Sequence, residues 1–178
     1  MEIELEKTFL LKNIPADLKT CPFIEISDIY VPSTVNHPIL RIRKRGDKYE
    51  MTKKAPINEN DSSEQYEKTI PLSKEEFSEL SSLPGKRLRK TRYYCPWKND
   101  KVKGERAEID IYLDNLEGLA TADFEFDSAE DKNNFKMPDF CLADVTQEEF
   151  CAAGLLAGKK YEDIELHLER YHYAKIKL

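Results

Sequence analysis

The sequence has few of the residues that mark metal–thiolate sites. Its 178 residues include 4 cysteines and 3 histidines, and no two of the cysteines form a C-x-x-C pair. The histidines complete no zinc pattern either, so the sequence excludes the common structural zinc sites. We interpret the cysteines as four reduced thiols, as expected for a cytoplasmic protein.

Long apolar runs and net positive charge are also missing. No run approaches the roughly 20 apolar residues of a membrane helix, and the acidic, alternating start "MEIELEK" does not resemble a signal peptide. We therefore expect no membrane partner. The net charge of −6 disfavours nucleic-acid binding, which needs a basic face. A nucleic-acid module built on the basic stretch "KRLRKTR" is an alternative that this charge opposes.

Internal repeats and low-complexity linkers are absent, so residues 1–178 fit a single domain. Alternation of apolar and polar residues predicts an antiparallel α+β fold with about eight strands. The hairpin "ILRIRKRGDKYEMTKKA" bends at Gly46-Asp47, and residues 57–63 read as a polar loop. The remaining predicted strands cover residues 2–11, 23–31, 64–70, 86–97, 106–113 and 121–127.

Helical patterns interrupt the strands at two places and dominate the C-terminal part. Ser73 and Ser128 are predicted N-caps, and Ser73 has Glu76 at the capping-box spacing. Residues 146–178 are expected to form a C-terminal helical segment with a break at Gly158.

Most of the predicted strands carry one apolar face and one ionised face. For a single strand, a solvated surface is the simpler explanation. Here, however, the acids concentrate on some strands (residues 2–6, 108–110 and 123–125) and the bases on others (41–43, 52–54 and 90–92). A sheet that curls with its apolar face outward would place these charges inside a closed barrel.

Such an interior must hold water, metal or a charged ligand, because unpaired buried charges are costly. Clustered carboxylates suit Mg²⁺ or Mn²⁺, and clustered Arg and Lys suit phosphate oxygens. Together they indicate a metal-assisted polyphosphate site.

These motifs resemble the CYTH superfamily, the triphosphate tunnel metalloenzymes. The stretches "ELEKTFLL", "LRIRKRGDKYEMTKK", "EQYEKTI", "KRLRKTRYY", "AEIDIYL" and "ADFEF" follow the family's order over about residues 2–150. The resemblance implies an eight-stranded antiparallel closed β-barrel, or tunnel, with flanking helices. It also implies activity as an inorganic triphosphatase, a thiamine triphosphatase or a class IV adenylyl cyclase. We expect the protein to be a monomer or homodimer.

The resemblance also implies roles for individual residues. Metal would be held by Glu4, Glu6, Glu125 and Asp123. The phosphates would be bound by Arg41, Arg43, Lys54, Lys90 and Arg92. Catalysis would rest on Glu4, Glu6, Lys54 and Arg92. Partners of these residues, or ligands of a second metal, would be Glu67, Glu108 and Asp110.

Some positions depart from the family pattern. Thr8 stands where the opening motif has a lysine, and Lys7 is expected to point outward. Ser63 and Gln65 stand where the family often has an arginine. We expect metal-dependent hydrolysis of inorganic triphosphate or a small organic triphosphate. A class IV adenylyl cyclase-like enzyme and a non-catalytic polyphosphate or nucleotide binder remain alternatives.

Overall fold

The computed structural model describes residues 2–58 and 60–177. These residues form nine strands and four α-helices. The strands are β1 (Glu2–Leu11), β2 (Phe23–Val31), β3 (Leu40–Arg45), β4 (Lys48–Asn58), β5 (Asp61–Leu72), β6 (Lys86–Pro96), β7 (Arg106–Tyr112), β8 (Ala120–Phe126) and β9 (Cys141–Asp144). The helices are α1 (Lys74–Ser81), α2 (Ala129–Asn134), α3 (Ala153–Leu156) and α4 (Glu165–Glu169).

Eight of the strands close into an antiparallel barrel, as predicted. The strand order is β5-β4-β3-β2-β6-β7-β8-β1, and a pairing of β1 with β5 closes the ring. Glu4 lies opposite Gln65 at this closure, and Glu6 lies opposite Glu125 on the other side of β1. The ninth strand, β9, pairs with β1 beyond the end of the β5 pairing. We did not predict β9, which is only four residues long.

The barrel turns its charged face inward and its apolar face outward. On β3, Ile42 packs outside against a cluster that includes Phe77 of α1, while Arg43 on the same strand is buried inside beside Asp28. On β8, Phe124 packs in the outer core against Phe9. The alternation read from the sequence therefore assigns the faces correctly.

One end of the barrel is filled and the other holds the charges. At one end, four inward-facing residues pack in an apolar cluster with residues of the C-terminal segment. The four are Leu10, Tyr30, Leu88 and Tyr112. At the opposite end, a cavity of about 150 Å³ is bordered by Glu4, Glu67, Lys103 and Glu125. We call this end the mouth. A ligand in the charged interior would therefore enter from the mouth.

Two predictions about local structure need correction. The polar loop expected at residues 57–63 is mostly strand, because β4 runs to Asn58 and β5 begins at Asp61. The C-terminal segment over residues 146–178 contains α3 and α4, of 4 and 5 residues, rather than long helices. Gly158 has a φ of +80° and interrupts the helical structure of this segment at the expected position. The N-caps Ser73 and Ser128 are confirmed, and Ser73 forms the capping box with Glu76.

The prediction of four reduced thiols is wrong. Cys21, just before β2, forms a disulfide with Cys95 at the end of β6. The two cysteines are 74 residues apart, and the pairing of β2 with β6 brings them together. Cys141 and Cys151 are free and buried. Disulfides are uncommon in cytosolic proteins, so the cytoplasmic location stays a prediction. No helix in the described part of the chain is long and apolar enough to cross a membrane.

Candidate functional site

Three carboxylates meet at the mouth. Glu4 and Glu6 come from the inward face of β1, and Glu125 comes from the neighbouring strand β8. One carboxylate oxygen from each lies within 4.8 Å of the other two. We call these three residues the carboxylate cluster. All three were predicted metal ligands, and the register of β1 and β8 brings them together.

Burial and mutual repulsion perturb this cluster. Burial raises the pKa of Glu6 well above its usual value, and the negative charges of Asp123 and Glu4 raise it further. The pKa of Glu125 is also raised, by burial and by the charges of Glu108 and Glu4. A divalent cation would relieve this repulsion, and clustered carboxylate oxygens are ligands that Mg²⁺ and Mn²⁺ accept. The donor set therefore fits a hard divalent metal.

Lys54 of β4 lies directly beside the carboxylate cluster. Its ammonium group contacts the carboxylate of Glu4 and lies 3.1 Å from that of Glu67. Burial alone would lower the pKa of Lys54, but the charges of Glu4 and Glu6 outweigh burial and raise it. A predicted phosphate-binding cation and a predicted metal ligand are thus direct neighbours.

Deeper in the barrel, Arg92 of β6 contacts three carboxylates. It donates two hydrogen bonds to Asp110, of 2.7 and 2.6 Å, and one of 2.8 Å to Asp123. It also contacts Glu108. Lys90, on the same face of β6, contacts Asp110 as well. Burial would raise the pKa of Asp110, but Arg92 and Lys90 outweigh it and hold that pKa well below its usual range.

Asp123 therefore lies beside Arg92 rather than in the carboxylate cluster, although we predicted it as a metal ligand. Burial and the charge of Asp110 raise the pKa of Asp123 to about 6 despite Arg92. Glu108 and Asp110, predicted as partners of the site, lie in the same network. The predicted partner Glu67 instead joins the group around Lys54.

The two arginines of β3 that we predicted to bind phosphate, Arg41 and Arg43, differ in what they contact. Arg43 is paired with Asp28 of β2 inside the barrel. The sequence analysis missed Asp28, although a lone acid between Ile26 and Tyr30 on an apolar strand is a usable signal. Arg41 donates a 3.2 Å hydrogen bond to Thr52, and its Nε is buried without a hydrogen-bond partner among the described residues. Arg41 therefore has a donor available for an anion.

The positions that depart from the family pattern have local explanations. Lys7 points outward, as predicted, and lies 3.3 Å from Asp144. Thr8 faces the interior, opposite Asp123 on β8 and 3.4 Å from the carboxylate of Glu6. Buried Lys132 of α2 donates a 2.6 Å hydrogen bond to the Ser63 hydroxyl and another of 2.8 Å to the carboxylate of Glu64.

Comparison with known proteins identifies the family. The CYTH domain profile matches residues 5–137. The chain belongs to the CYTH domain family. This match runs from within β1 to beyond the end of β8. It therefore includes all of the barrel strands except the first three residues of β1, and Glu4 is one of these three. None of the curated proteins matches the chain in sequence.

Solved CYTH-like structures share the fold. The chain is 24% identical to a structure of the inorganic triphosphatase NE1496, with a TM-score of 0.62 over 89% of this chain and 97% of that one. A second structure of NE1496, described as a hypothetical protein, is 25% identical over 88% and 99%, also with a TM-score of 0.62. The PH1012 protein of Pyrococcus horikoshii OT3 is 18% identical over 73% and 82%, with a TM-score of 0.51.

Proposed function

We propose that the protein hydrolyses inorganic triphosphate with the help of Mg²⁺ or Mn²⁺. The observation that carries this proposal is the contact of Lys54 with Glu4. In this contact, a cation suited to phosphate oxygens lies directly beside a cluster of carboxylates suited to a divalent metal. Membership of the CYTH domain family and the likeness to an inorganic triphosphatase support the same reaction class.

The carboxylate cluster would hold the metal. A bound divalent cation would polarise phosphoryl oxygens and neutralise part of the charge that develops during phosphoryl transfer. The three glutamates come from two hydrogen-bonded strands, so their backbones are fixed relative to one another. The site therefore needs only small side-chain adjustments to bind the ion.

The five cations would hold the phosphate chain. Arg41 offers a buried Nε without a partner, so binding a phosphate oxygen there breaks no existing contact. Lys54, Lys90 and Arg92 already contact carboxylates. Each of these ion pairs would have to be shared with, or partly exchanged for, phosphate oxygens. We therefore assign to Arg41 a contact with the anion that displaces no existing hydrogen bond of its Nε atom.

Asp123 is our candidate for accepting the proton of the attacking water. In this reaction the water oxygen bonds to the terminal phosphorus, the bridging P–O bond breaks, and orthophosphate and diphosphate are released. A general base works best when its pKa lies near the operating pH. The pKa of about 6 for Asp123 meets this condition better than an ordinary aspartate.

The filled end of the barrel favours a small substrate. Leu10, Tyr30, Leu88 and Tyr112 join the apolar cluster there, so the interior has a closed end. This closed end favours a bare phosphate chain over a nucleotide with a bulky organic group. For this reason we place the adenylyl cyclase reaction behind hydrolysis of inorganic triphosphate.

Phosphate release from inorganic triphosphate and from ATP, with Mg²⁺ or Mn²⁺, tests the proposal. We expect faster release from inorganic triphosphate, and loss of that activity in Glu4→Gln. Glu25→Gln is the matched control, because Glu25 lies on the outside of the barrel, where it is exposed and pairs with Arg89. Equal rates for Glu4→Gln and wild type would contradict the proposal.

Binding without turnover is a second candidate function, and the presence of Thr8 instead of a lysine favours it. Thr8 faces Asp123 and Glu6 but supplies no positive charge to them. Isothermal titration with triphosphate and Mn²⁺ separates the two functions. Tight binding without phosphate release would identify a polyphosphate-binding protein.

A further inference from the structure

We infer that Lys103 is an exchangeable counter-ion of the carboxylate cluster. It would neutralise the cluster when no divalent cation is bound and turn to the phosphate chain of the substrate when the cation binds. This inference rests on the proposed function. Lys103 belongs to the connection between β6 and β7 and lies outside every motif identified in the sequence.

The position of Lys103 at the mouth is the first support. Its ammonium nitrogen lies 3.7 Å from the nearer carboxylate oxygen of Glu125. It also borders the mouth cavity together with Glu4 and Glu67. The Lys103 side chain is 45% exposed, so its ion pair with Glu125 is loose and open to solvent. Such a pair exchanges partners more readily than the buried pairs deeper in the barrel.

The backbone around Lys103 is the second support. Val102, the preceding residue, is buried in the outer core. The backbone N–H of Trp97 donates a 2.6 Å hydrogen bond to the carbonyl of Glu105. Gly104 has a φ of +68° and Glu105 a φ of +46°, and this left-handed pair turns the chain into β7. Contacts on both sides of Lys103 therefore hold its backbone at the mouth.

Charge balance is the third support. Among the interior carboxylates, Glu6 and Asp123 face the neutral side chain of Thr8. At equal distance, a divalent cation attracts each carboxylate twice as strongly as an ammonium group does. A metal ion bound by the cluster would therefore displace Lys103 and then repel it. A phosphate group of a substrate bound at the mouth would attract the displaced ammonium group of Lys103.

The test compares Lys103→Gln with wild type and with the control Lys98→Gln, in which an exposed lysine of the same loop is changed. Mn²⁺ affinity is measured by titration without substrate at low ionic strength. We expect Lys103→Gln to bind Mn²⁺ roughly twofold to fivefold more tightly, as suits the loss of an exposed competing cation. In the same variant, the KM for triphosphate should rise by a similar factor, with kcat less affected.

Loss of a lysine with only a structural role would not tighten Mn²⁺ binding and raise the KM for triphosphate at the same time. Raising the ionic strength should shrink both differences, because exposed charges are screened, and Lys103→Arg should restore wild-type values. Unchanged or weaker Mn²⁺ binding in Lys103→Gln would overturn the inference, and so would a wild type that binds no Mn²⁺. If wild type binds Mn²⁺ but hydrolyses no triphosphate, the proposed function fails alone. Triphosphate affinity of the Mn²⁺-loaded protein then replaces KM, and unchanged affinity in Lys103→Gln would refute the second half of the inference.

Discussion

Arg43 donates two parallel hydrogen bonds to the carboxylate of Asp28 inside the barrel. The distance from Nε to Oδ1 is 2.6 Å, and the distance from Nη2 to Oδ2 is 2.7 Å. Both side chains are buried. A residue expected to bind phosphate is thus already neutralised by an acid on the neighbouring strand. The pair holds the guanidinium group of Arg43 in one orientation in the interior, because a bidentate contact restricts the rotation of the arginine side chain. Phosphate binding at Arg43 would use donors that Asp28 leaves free.

Removing one member of this pair should destabilise the fold. We expect Asp28→Asn to lower the free energy of unfolding by roughly 3–5 kcal/mol, because it leaves Arg43 buried without its counter-charge. Urea denaturation at pH 7 measures the change. The double variant Asp28→Leu/Arg43→Met should lose much less unfolding free energy than the sum of the losses in Asp28→Leu and Arg43→Met. Additive losses would contradict the coupling of the two residues.

The Asp28 pair also predicts a pH dependence. Burial would raise the pKa of Asp28, but the charge and hydrogen bonds of Arg43 outweigh it and lower the pKa below its usual value. The stabilisation is therefore complete above the ordinary aspartate pKa of about 4 and is lost as the pH falls toward the lowered value. The stability difference between wild type and Asp28→Asn should accordingly shrink below about pH 4.

Glu6→Gln should stabilise the metal-free protein and weaken metal binding. Because folding raises the Glu6 pKa, its ionised form costs stability at neutral pH, and the cost disappears as the pH falls below the unfolded value. Thermal denaturation in the presence of a chelator should give a higher Tm for the variant at pH 8 but not at pH 4. Mn²⁺ affinity should fall by about tenfold or more. A lower Tm at pH 8 would contradict the crowding of charges described here.

Asp123 should titrate near pH 6 in the metal-free protein. Carboxyl carbon NMR should show a group with this midpoint in wild type, and Asp123→Asn should lack it. If Asp123 accepts the proton of the attacking water, kcat/KM should rise as the pH increases through this value, because the base must be ionised. Asp114→Asn is the control, since Asp114 is exposed and pairs with Arg89. A midpoint that persists in Asp123→Asn would refute the assignment.

Thr8→Lys should increase activity toward triphosphate. The new ammonium group would lie opposite Asp123 and close to Glu6, where it can also reach a phosphate oxygen. A single well-placed charged donor is worth roughly tenfold or more in rate. Thr8→Met is the control for side-chain length, and kcat/KM should rise only in the lysine variant. A decrease in both variants would show that the site has no room for the longer side chain.

Reducing agent should destabilise the protein through the Cys21–Cys95 disulfide. This bond closes a loop with a sequence separation of 74, and loss of a native disulfide typically costs about 2–4 kcal/mol. Urea denaturation with and without reductant measures the loss. The Cys21→Ser/Cys95→Ser variant is the control, and its stability should not respond to reductant. Mass spectrometry of the untreated protein would contradict the pairing if both thiols were free.

The local elements of the barrel were largely predictable, and the errors have physical causes. The range of β1, 2–11, was predicted in full, because a long alternating run specifies both a strand and its faces. The C-terminal segment misled us because helix-forming residues surround Gly154 and Gly158. Composition favoured a helix there, while packing onto the filled end of the barrel selected short turns. The disulfide could not be predicted, since Cys21 and Cys95 carry no local signal of their pairing.

The sequence by itself determined which side chains share a face, because alternation is a local property of the extended backbone. It thereby placed Glu4, Glu6, Arg43 and Lys54 on the inner face. Only the tertiary structure decided which charges meet, because ion-pair partners depend on strand register and on the closure of β1 against β5. That closure sets Lys54 beside Glu4, and the register of β4 with β5 sets it beside Glu67. The register of β2 with β3 sets Arg43 beside Asp28. The order of strands around the ring and the path of the β6–β7 connection brought Lys103 to the mouth, where nothing in its own neighbourhood of the sequence would place it.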